Sequence, residues 1–222
     1  DPTSKLLAAA CNTVDPKHIR LIQALLEPGQ QLEQQALKAG GFTMLGHLVY
    51  MQRTVSGGCQ LSLPPQLQVI HYNQENHHAF AEAILASYEQ TQDCPGLLGL
   101  RHIDDIIAGH KAAGEFLPEL WLAMFIKDEP VGVMLLNTLP HRDALELVYL
   151  GLSVPWRGQG LARHLVDYCL HLARKQQVSH IVLAVDEHNS SAIRLYRHAN
   201  FRTNTRKTAM ICTVDPAIPP SC

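Results

Sequence analysis

Charge of one sign is what this 222-residue sequence most clearly lacks: 18 Lys and Arg stand against 20 Asp and Glu, for a formal charge of −2 and a pI near 6.7. That leaves no basic field to recruit nucleic acid or an anionic membrane surface. Long apolar runs are missing as well, and none reaches the ~18 residues that a membrane-spanning helix needs. No signal peptide is visible, and the chain begins at Asp1 without a methionine, as a trimmed chain does. The six cysteines (Cys11, Cys59, Cys94, Cys169, Cys212 and Cys222) are scattered, with no C-x-x-C pair and no framework spacing. That is the pattern of reduced thiols in a cytoplasmic protein. His77, His78, His102 and His110 lack metal-ligand spacing, so a solvated histidine face is expected and a metal is not.

The residues present include a 46% hydrophobic fraction, that of an ordinary globular chain long enough for one large or two small domains. The organising stretch is Leu145 to Leu172. Leu145 to Val154 is almost wholly apolar, as in a strand covered on both faces, and Pro155 ends it. The loop Arg157-Gly158-Gln159-Gly160-Leu161-Ala162 follows. Leu161, Leu165, Val166, Cys169, Leu172 and Ala173 then recur at helical spacing. A loop of this kind presents unpaired backbone N–H groups at the positive end of a helix. Glycines let an anion approach them closely, so a phosphate or pyrophosphate is the natural ligand.

Two common phosphate loops do not fit. A dinucleotide fingerprint needs a third glycine where Arg163 stands, and a P-loop needs Lys-Ser or Lys-Thr where Leu161-Ala162 stands. What remains is Arg-x-x-Gly-x-Ala. Downstream, Ile181 to Val185 reads as a second buried strand, followed by Asn189, Ala192, Leu195-Tyr196 and Asn200-Phe201. Together these segments resemble the GNAT superfamily of N-acetyltransferases, in its acyl-CoA pyrophosphate loop and its Asn-x-x-Ala-x-x-Leu-Tyr-x-x-x-Gly-Phe region. Asn200 replaces the usual glycine, at a left-handed cap that asparagine also tolerates. The resemblance covers residues 67–213. It implies an α/β (α+β) fold, a mixed and largely antiparallel central sheet flanked by helices.

By the same resemblance the activity is direct transfer of an acetyl group from acetyl-CoA to an amine, without a covalent enzyme intermediate or a metal. The cofactor would be held by Arg157, Gly158, Gln159, Gly160, Leu161 and Ala162. Leu152, Ser153 and Val154 would run beside the pantetheine arm, with the Val154 N–H polarising the acetyl carbonyl. Asn189 would be both helix cap and pantetheine contact. Tyr196 is the general-acid candidate, because a thiolate leaving group needs a nearby O–H; the alternative is a packed tyrosine with a wet hydroxyl. Glu146 is the base candidate, a carboxylate in an otherwise apolar strand, where unpaired burial is unfavourable. Its other reading is a solvated or salt-bridged residue at the strand's open end, leaving His188 or water as the base. A catalytically inactive acyl-CoA sensor or interaction module is the alternative to an enzyme, and the presence of Tyr196 favours the enzyme. The acceptor, a small molecule or a protein amine, is not encoded in any pattern of residues 73–118.

Residues 1–56 carry a second pattern. Sliding the sequence by 159 positions without a gap sets Ile22–Glu27 on Ile181–Asp186, Ala36-Leu37 on Leu195-Tyr196, Phe42 on Phe201 and Met51 on Met210. The alanine-rich helix around Leu6–Ala10 falls on the helix at Leu165-Val166. Residues 1–56 thus read as a degenerate half of the same unit, with neither the glycine loop nor the tyrosine. Residues 57–66, rich in Gly, Ser and Pro, read as a linker, 67–213 as the acetyltransferase unit and 214–222 as a tail. Half a sheet leaves an open strand edge, which is expected to dock on the 67–213 unit or on a second chain as a homodimer.

Overall fold

The apolar runs of this chain become strands, and its 3.6-period segments become the helices that cover them. The computed structural model describes residues 2–16, 19–57 and 63–214. In chain order the elements are α1 (Pro2–Asn12), β1 (Leu21–Leu26), α2 (Gln31–Ala39), β2 (Thr43–Thr54) and β3 (Gln68–His71). They continue with α3 (His77–Tyr88), α4 (Ile103–Ala112), β4 (Glu115–Ile126), β5 (Glu129–Leu139) and β6 (Ala144–Leu152). α5 (Leu161–Lys175), β7 (His180–Asp186), α6 (Ser190–His198) and β8 (Arg202–Thr213) complete them. The first strand of the organising stretch stops at Leu152, two residues short of the predicted end. Val154–Trp156 form a 3₁₀ turn around Pro155, which has no N–H to donate. Residues 58–62 of the 57–66 linker and all but the first residue of the 214–222 tail lie outside the described residues.

One eight-stranded sheet has the order β1-β8-β2-β7-β6-β5-β4-β3, and every neighbouring pair is antiparallel except β6 and β7. β4 and β5 are joined through Lys127-Asp128, both at positive φ (50° and 66°), as a two-residue hairpin of the primed type requires. Side chains alternate across the sheet, so β4 feeds two cores. Leu120, Leu122 and Met124 join the cluster under α5 and α6, while Trp121, Ala123 and Phe125 join the one under α3. α5 supplies Leu165, Val166, Cys169 and Leu172 to the first core, the stripe legible in its sequence. A third, smaller cluster sets Leu37 of α2 and Phe42 against Leu26 and Met210.

The N-terminal segment does not dock on an edge of a finished sheet. β2 lies between β7 and β8, which do not pair with each other, and β1 flanks β8 on the outside. The registers repeat at the offset seen in the sequence. Leu21↔Thr213 in β1·β8 becomes His180↔Thr54 in β7·β2 when 159 is added to 21 and taken from 213. Within β2·β8 the same operation exchanges Thr43↔Ile211 with Gln52↔Arg202, and leaves Leu48↔Lys207 in place.

One half-buried histidine ties the fold to pH. His110 of α4 stacks on Tyr149 with ring centroids 5.5 Å apart, and its Nε2 has no hydrogen-bond partner among the described residues. Burial, and then the nearby Arg101 charge, lower its pKa from 6.5 to about 4. The folded pKa is below the unfolded one, so this stability is complete above about pH 6.5 and is lost as pH falls towards 4. His110→Phe should therefore flatten the acid side of a stability–pH curve over that window, by on the order of 3 kcal/mol at its lower end. Denaturant melts at stepped pH test this, and an unchanged slope would refute it.

Candidate active site

β6 and β7 are paired only from Ala144–Leu147 to His180–Leu183. Beyond Leu147 they part, while β6 stays paired with β5 as far as Leu152, and β7 with β2 as far as Asp186. The parting coincides with an irregularity of β5·β6, where Leu135↔Tyr149 is followed by Leu136↔Leu147 and Val148 is left over. Such a bulge bends and twists its strand, which is how β6 leaves β7. The result is a notch whose facing strand edges carry no partner strand among the described residues.

At the mouth of the notch stands the glycine loop. Gly158 and Gly160 have φ of +74° and +82°, a left-handed backbone in which an L side chain is strained. The space above both is open, with no atom within 4 Å of where a Cβ would lie. Gly160 caps α5, and no side chain caps its amides. The first-turn N–H groups of Leu161 and Ala162 have no acceptor inside the helix, while Arg163 N–H returns to the Gly160 carbonyl at 3.0 Å. An uncapped, positively polarised helix start beside open glycines fits an anionic phosphate. Gln159 turns its amide to the Pro155 carbonyl at 2.5 Å.

Arg157 behaves differently from expectation. Its Nε donates to Leu152 O at 2.9 Å and Nη1 to Gln90 O at 3.3 Å. Nη2 donates to Ser87 O at 2.9 Å and Glu89 O at 2.7 Å, and the backbone N–H goes to Val154 O at 3.2 Å. A guanidinium engaged with four carbonyls is a brace between α3's end and β6. Ser153 is also engaged, its N–H with Val131 O at 3.0 Å and its hydroxyl with Pro130 O at 2.7 Å. The Val154 N–H has no protein acceptor among the described residues.

Asn189 caps α6, its side chain accepting from Ala192 N–H at 3.1 Å, and it lines a cleft of about 150 Å³ opposite Gly151, Leu152 and Arg157. Tyr196, about two turns further along α6, is buried with its ring 5.6 Å from that of Phe201. Its hydroxyl has no hydrogen-bond partner among the described residues. Burial, then the charge of Asp93, push its pKa up, so the phenol stays protonated at neutral pH. Glu146 points the other way. Leu145 and Leu147 join the core that holds Tyr196, so Glu146 between them faces the opposite side of the sheet. There it lines a cavity of about 460 Å³ with Tyr50, Arg142, His180 and Lys207. Burial raises its pKa, and Arg142 partly offsets this. The acid and base candidates thus lie on opposite faces of the sheet, beside the notch.

Asp93 was not singled out by the sequence. It sits in a polar loop after α3, accepts the Asp186 backbone N–H at 2.9 Å, and lines the same cleft as Asn189. Burial raises its pKa. Only the two non-glycine left-handed residues beside it, Gln90 and Cys94, mark the loop as constrained, and that is visible in coordinates alone. His188, the alternative base, has Nδ1 3.2 Å from an Asp186 oxygen and an exposed ring. No three His, Cys, Asp or Glu side chains among the described residues are grouped to hold a metal ion, and no helix among them is long and apolar enough to cross a membrane.

Residues 71–201 match the acetyltransferase (GNAT) family, and since that span exceeds half of the chain, the chain belongs to this family. It is 39% identical over 94 residues to the peptidyl-lysine N-acetyltransferase YjaB of Salmonella typhimurium, covering 41% of this chain and 57% of that protein. The Escherichia coli protein of the same name is 37% identical over 93 residues, covering 41% and 56%. The chain thus spans about half the length of the curated relatives it matches. A GCN5-related N-acetyltransferase from Sphaerobacter thermophilus shares the fold, with a TM-score of 0.63 at 19% identity, covering 89% of this chain and 61% of that one.

Proposed function

We propose that the chain moves an acetyl group directly from acetyl-CoA to a primary amine, and that the amine is a protein lysine. The observation that carries this reading is the uncapped start of α5 with its two open glycines, set at the mouth of the β6/β7 notch. The lysine acceptor is supported by the two peptidyl-lysine relatives. Leu161 and Ala162 N–H groups hold the pyrophosphate, and Gly158 and Gly160 let it approach. The open edge of β6, with Asn189 facing it, aligns the pantetheine arm. The Val154 N–H polarises the thioester carbonyl, a contribution of ~3–4 kcal/mol in other acyl-transfer sites. Glu146 takes the proton from the attacking amine, directly or through water, as the C–N bond forms. Tyr196 gives its proton to the sulfur as the C–S bond breaks.

Calorimetry with acetyl-CoA, ATP and NAD, followed by CoA-thiol release from lysine peptides and a panel of small amines, tests this. Binding of acetyl-CoA at about one per chain, with release on lysine peptides, is expected. Preferential ATP binding, or no release with any amine, would overturn it. Gly160→Val should weaken acetyl-CoA binding by ~10-fold or more, because a β-branched side chain both strains the left-handed backbone and fills the open space above it.

We also infer that residues 1–56 are a degenerate half of the same unit with no cofactor of their own. Supporting this is the common offset of 159, which relates the sequences and also exchanges the β1·β8 and β2·β7 registers. Leu37 stands where Tyr196 would.

A further inference from the structure

Where β2 ends and β8 begins, side by side, a cavity of about 680 Å³ opens next to the last turn of α6. Arg53 of β2, Arg197 of α6 and Arg202 of β8 line it, together with the amide side chains of Gln52, Asn200 and Asn204. No aspartate or glutamate is among the described residues that line it. Arg53 donates from Nη1 to the Ala199 carbonyl at the end of α6, which fixes its guanidinium at the wall. Arg197 and Arg202 are exposed and take part in no ion pair among the described residues, unlike Arg163 with Asp167 and Lys207 with Glu27. The whole chain carries a formal charge of −2, so three cations around one cavity are a local excess and not a general basicity.

The far end of the same ladder shows what the fold itself requires. The offset of 159 carries this corner onto the other end of β2·β8, where Thr43 pairs with Ile211 as Gln52 pairs with Arg202. The backbone is alike at both ends, each having one irregularity, with Asn204 left over here and Leu45 there. The side chains differ. Arg53 answers to Cys212, Arg202 to Thr43 and Asn204 to Leu45, and Arg197 alone keeps a cation, at Lys38. Pairing and packing thus form the same corner without this set of arginines. Grouping like charges without a counter-charge also destabilises a folded chain, and a bound anion offsets that.

We propose that this cavity binds a phosphate monoester carried on a nucleotide-sized molecule. Guanidinium groups meet phosphate oxygens two at a time, and the amides add donors to a group with acceptors on every side. A single carboxylate offers two oxygens and one charge, too few for this set. The volume lies within the range of small-molecule sites. The cavity is separate from the open amides of α5 but adjoins that helix's first turn. Arg163 there donates to the His198 carbonyl at 3.2 Å, one residue from Arg197. The phosphate can therefore belong to a free nucleotide, or be the 3′-phosphate of a CoA whose pyrophosphate lies on α5. Only the second source rests on the acetyl-CoA reading.

Calorimetry and thermal melts of the full chain with adenosine 3′,5′-bisphosphate test this, against sodium chloride at matched ionic strength. Wild type, Arg197→Gln, Arg202→Gln and Gly160→Val are compared. Both arginines are exposed, so replacing either should leave the anion-free Tm within about 1–2 °C of wild type. Expected is saturable binding that raises Tm and is weakened by ~10-fold in each arginine variant. Two further ligands identify the source. A ~10-fold preference for CoA over 3′-dephospho-CoA that is lost in Arg202→Gln assigns the site to the cofactor's own 3′-phosphate. Equal binding of those two, with the bisphosphate still bound beside saturating CoA, assigns it to a separate nucleotide. No binding above the chloride control, equal binding in wild type and both arginine variants, or binding lost in Gly160→Val alone would each overturn the proposal.

Discussion

Replacing Tyr196 with Phe should lower kcat by ~10²-fold or more while leaving acetyl-CoA affinity unchanged. The hydroxyl is the only group removed. The ring keeps its place against Phe201 in the main core, and the lost oxygen has no protein hydrogen-bond partner among the described residues, so folding should not suffer. In the proposed mechanism the thiolate leaving the carbonyl needs a proton, and a phenol held protonated by burial and by the Asp93 charge can supply it at neutral pH. The raised pKa carries its own signature. Wild-type kcat should not fall on the alkaline side through the range where an ordinary tyrosine ionises, near about 10. Steady-state kinetics on a lysine peptide with matched melting curves make the measurement. Unchanged turnover, under conditions where a pre-steady-state burst shows that product release is not limiting, would remove Tyr196 from the mechanism.

Much of the candidate site's framework was legible because its signals are local. An apolar run, a proline, two spaced glycines and a 3.6-period stripe lie within Leu145–Leu172, and each acts over a few residues. The strand, loop and helix therefore fall within one or two residues of where the sequence puts them. Asn189 could be read as a cap because capping is a property of one turn. Strand order is not local. Nothing in the periodicity of Thr43–Thr54 says that it lies between two strands more than 120 residues downstream. The same limit hid Arg157's partners, three of which lie near residues 87–90 and become neighbours only when α3 folds onto β5 and β6. It hid the field of Asp93 on Tyr196 as well. The notch itself was not foreseen. Its physical origin, the extra residue at Val148, requires knowing both strands that flank β6.

Removing residues 1–62 should abolish cooperative folding of the remainder, and acetyl-CoA binding with it. β2 is an inner strand, so its loss strips β7 of its seven register partners from Leu48 to Thr54. β8 fares worse. Its described neighbours are β1 and β2, both of which are removed, leaving a long strand with both edges open. The main core loses Val49 and Met51, and the small core loses Leu26, Leu37 and Phe42, all of them buried. At ~1.5–3 kcal/mol for each fully buried apolar side chain, that loss equals or exceeds the ~5–15 kcal/mol by which a domain is ordinarily stable. The damage reaches the site directly, because β2 holds β7 on the side away from the notch, and the His47 carbonyl accepts the Glu187 N–H at 2.9 Å just before α6 begins. Unpaired strand edges also template association, so the truncated chain should be recovered as aggregate. Co-expressing residues 1–57 as a separate chain should restore soluble protein, since most of what joins the segment to the rest is strand pairing and apolar contact. The measurements are soluble yield, a denaturant melt and calorimetric acetyl-CoA binding for the truncated, co-expressed and full-length forms. A truncated chain that melts cooperatively at the full-length midpoint, and still binds acetyl-CoA, would show that β7 and β8 can close the sheet without β2.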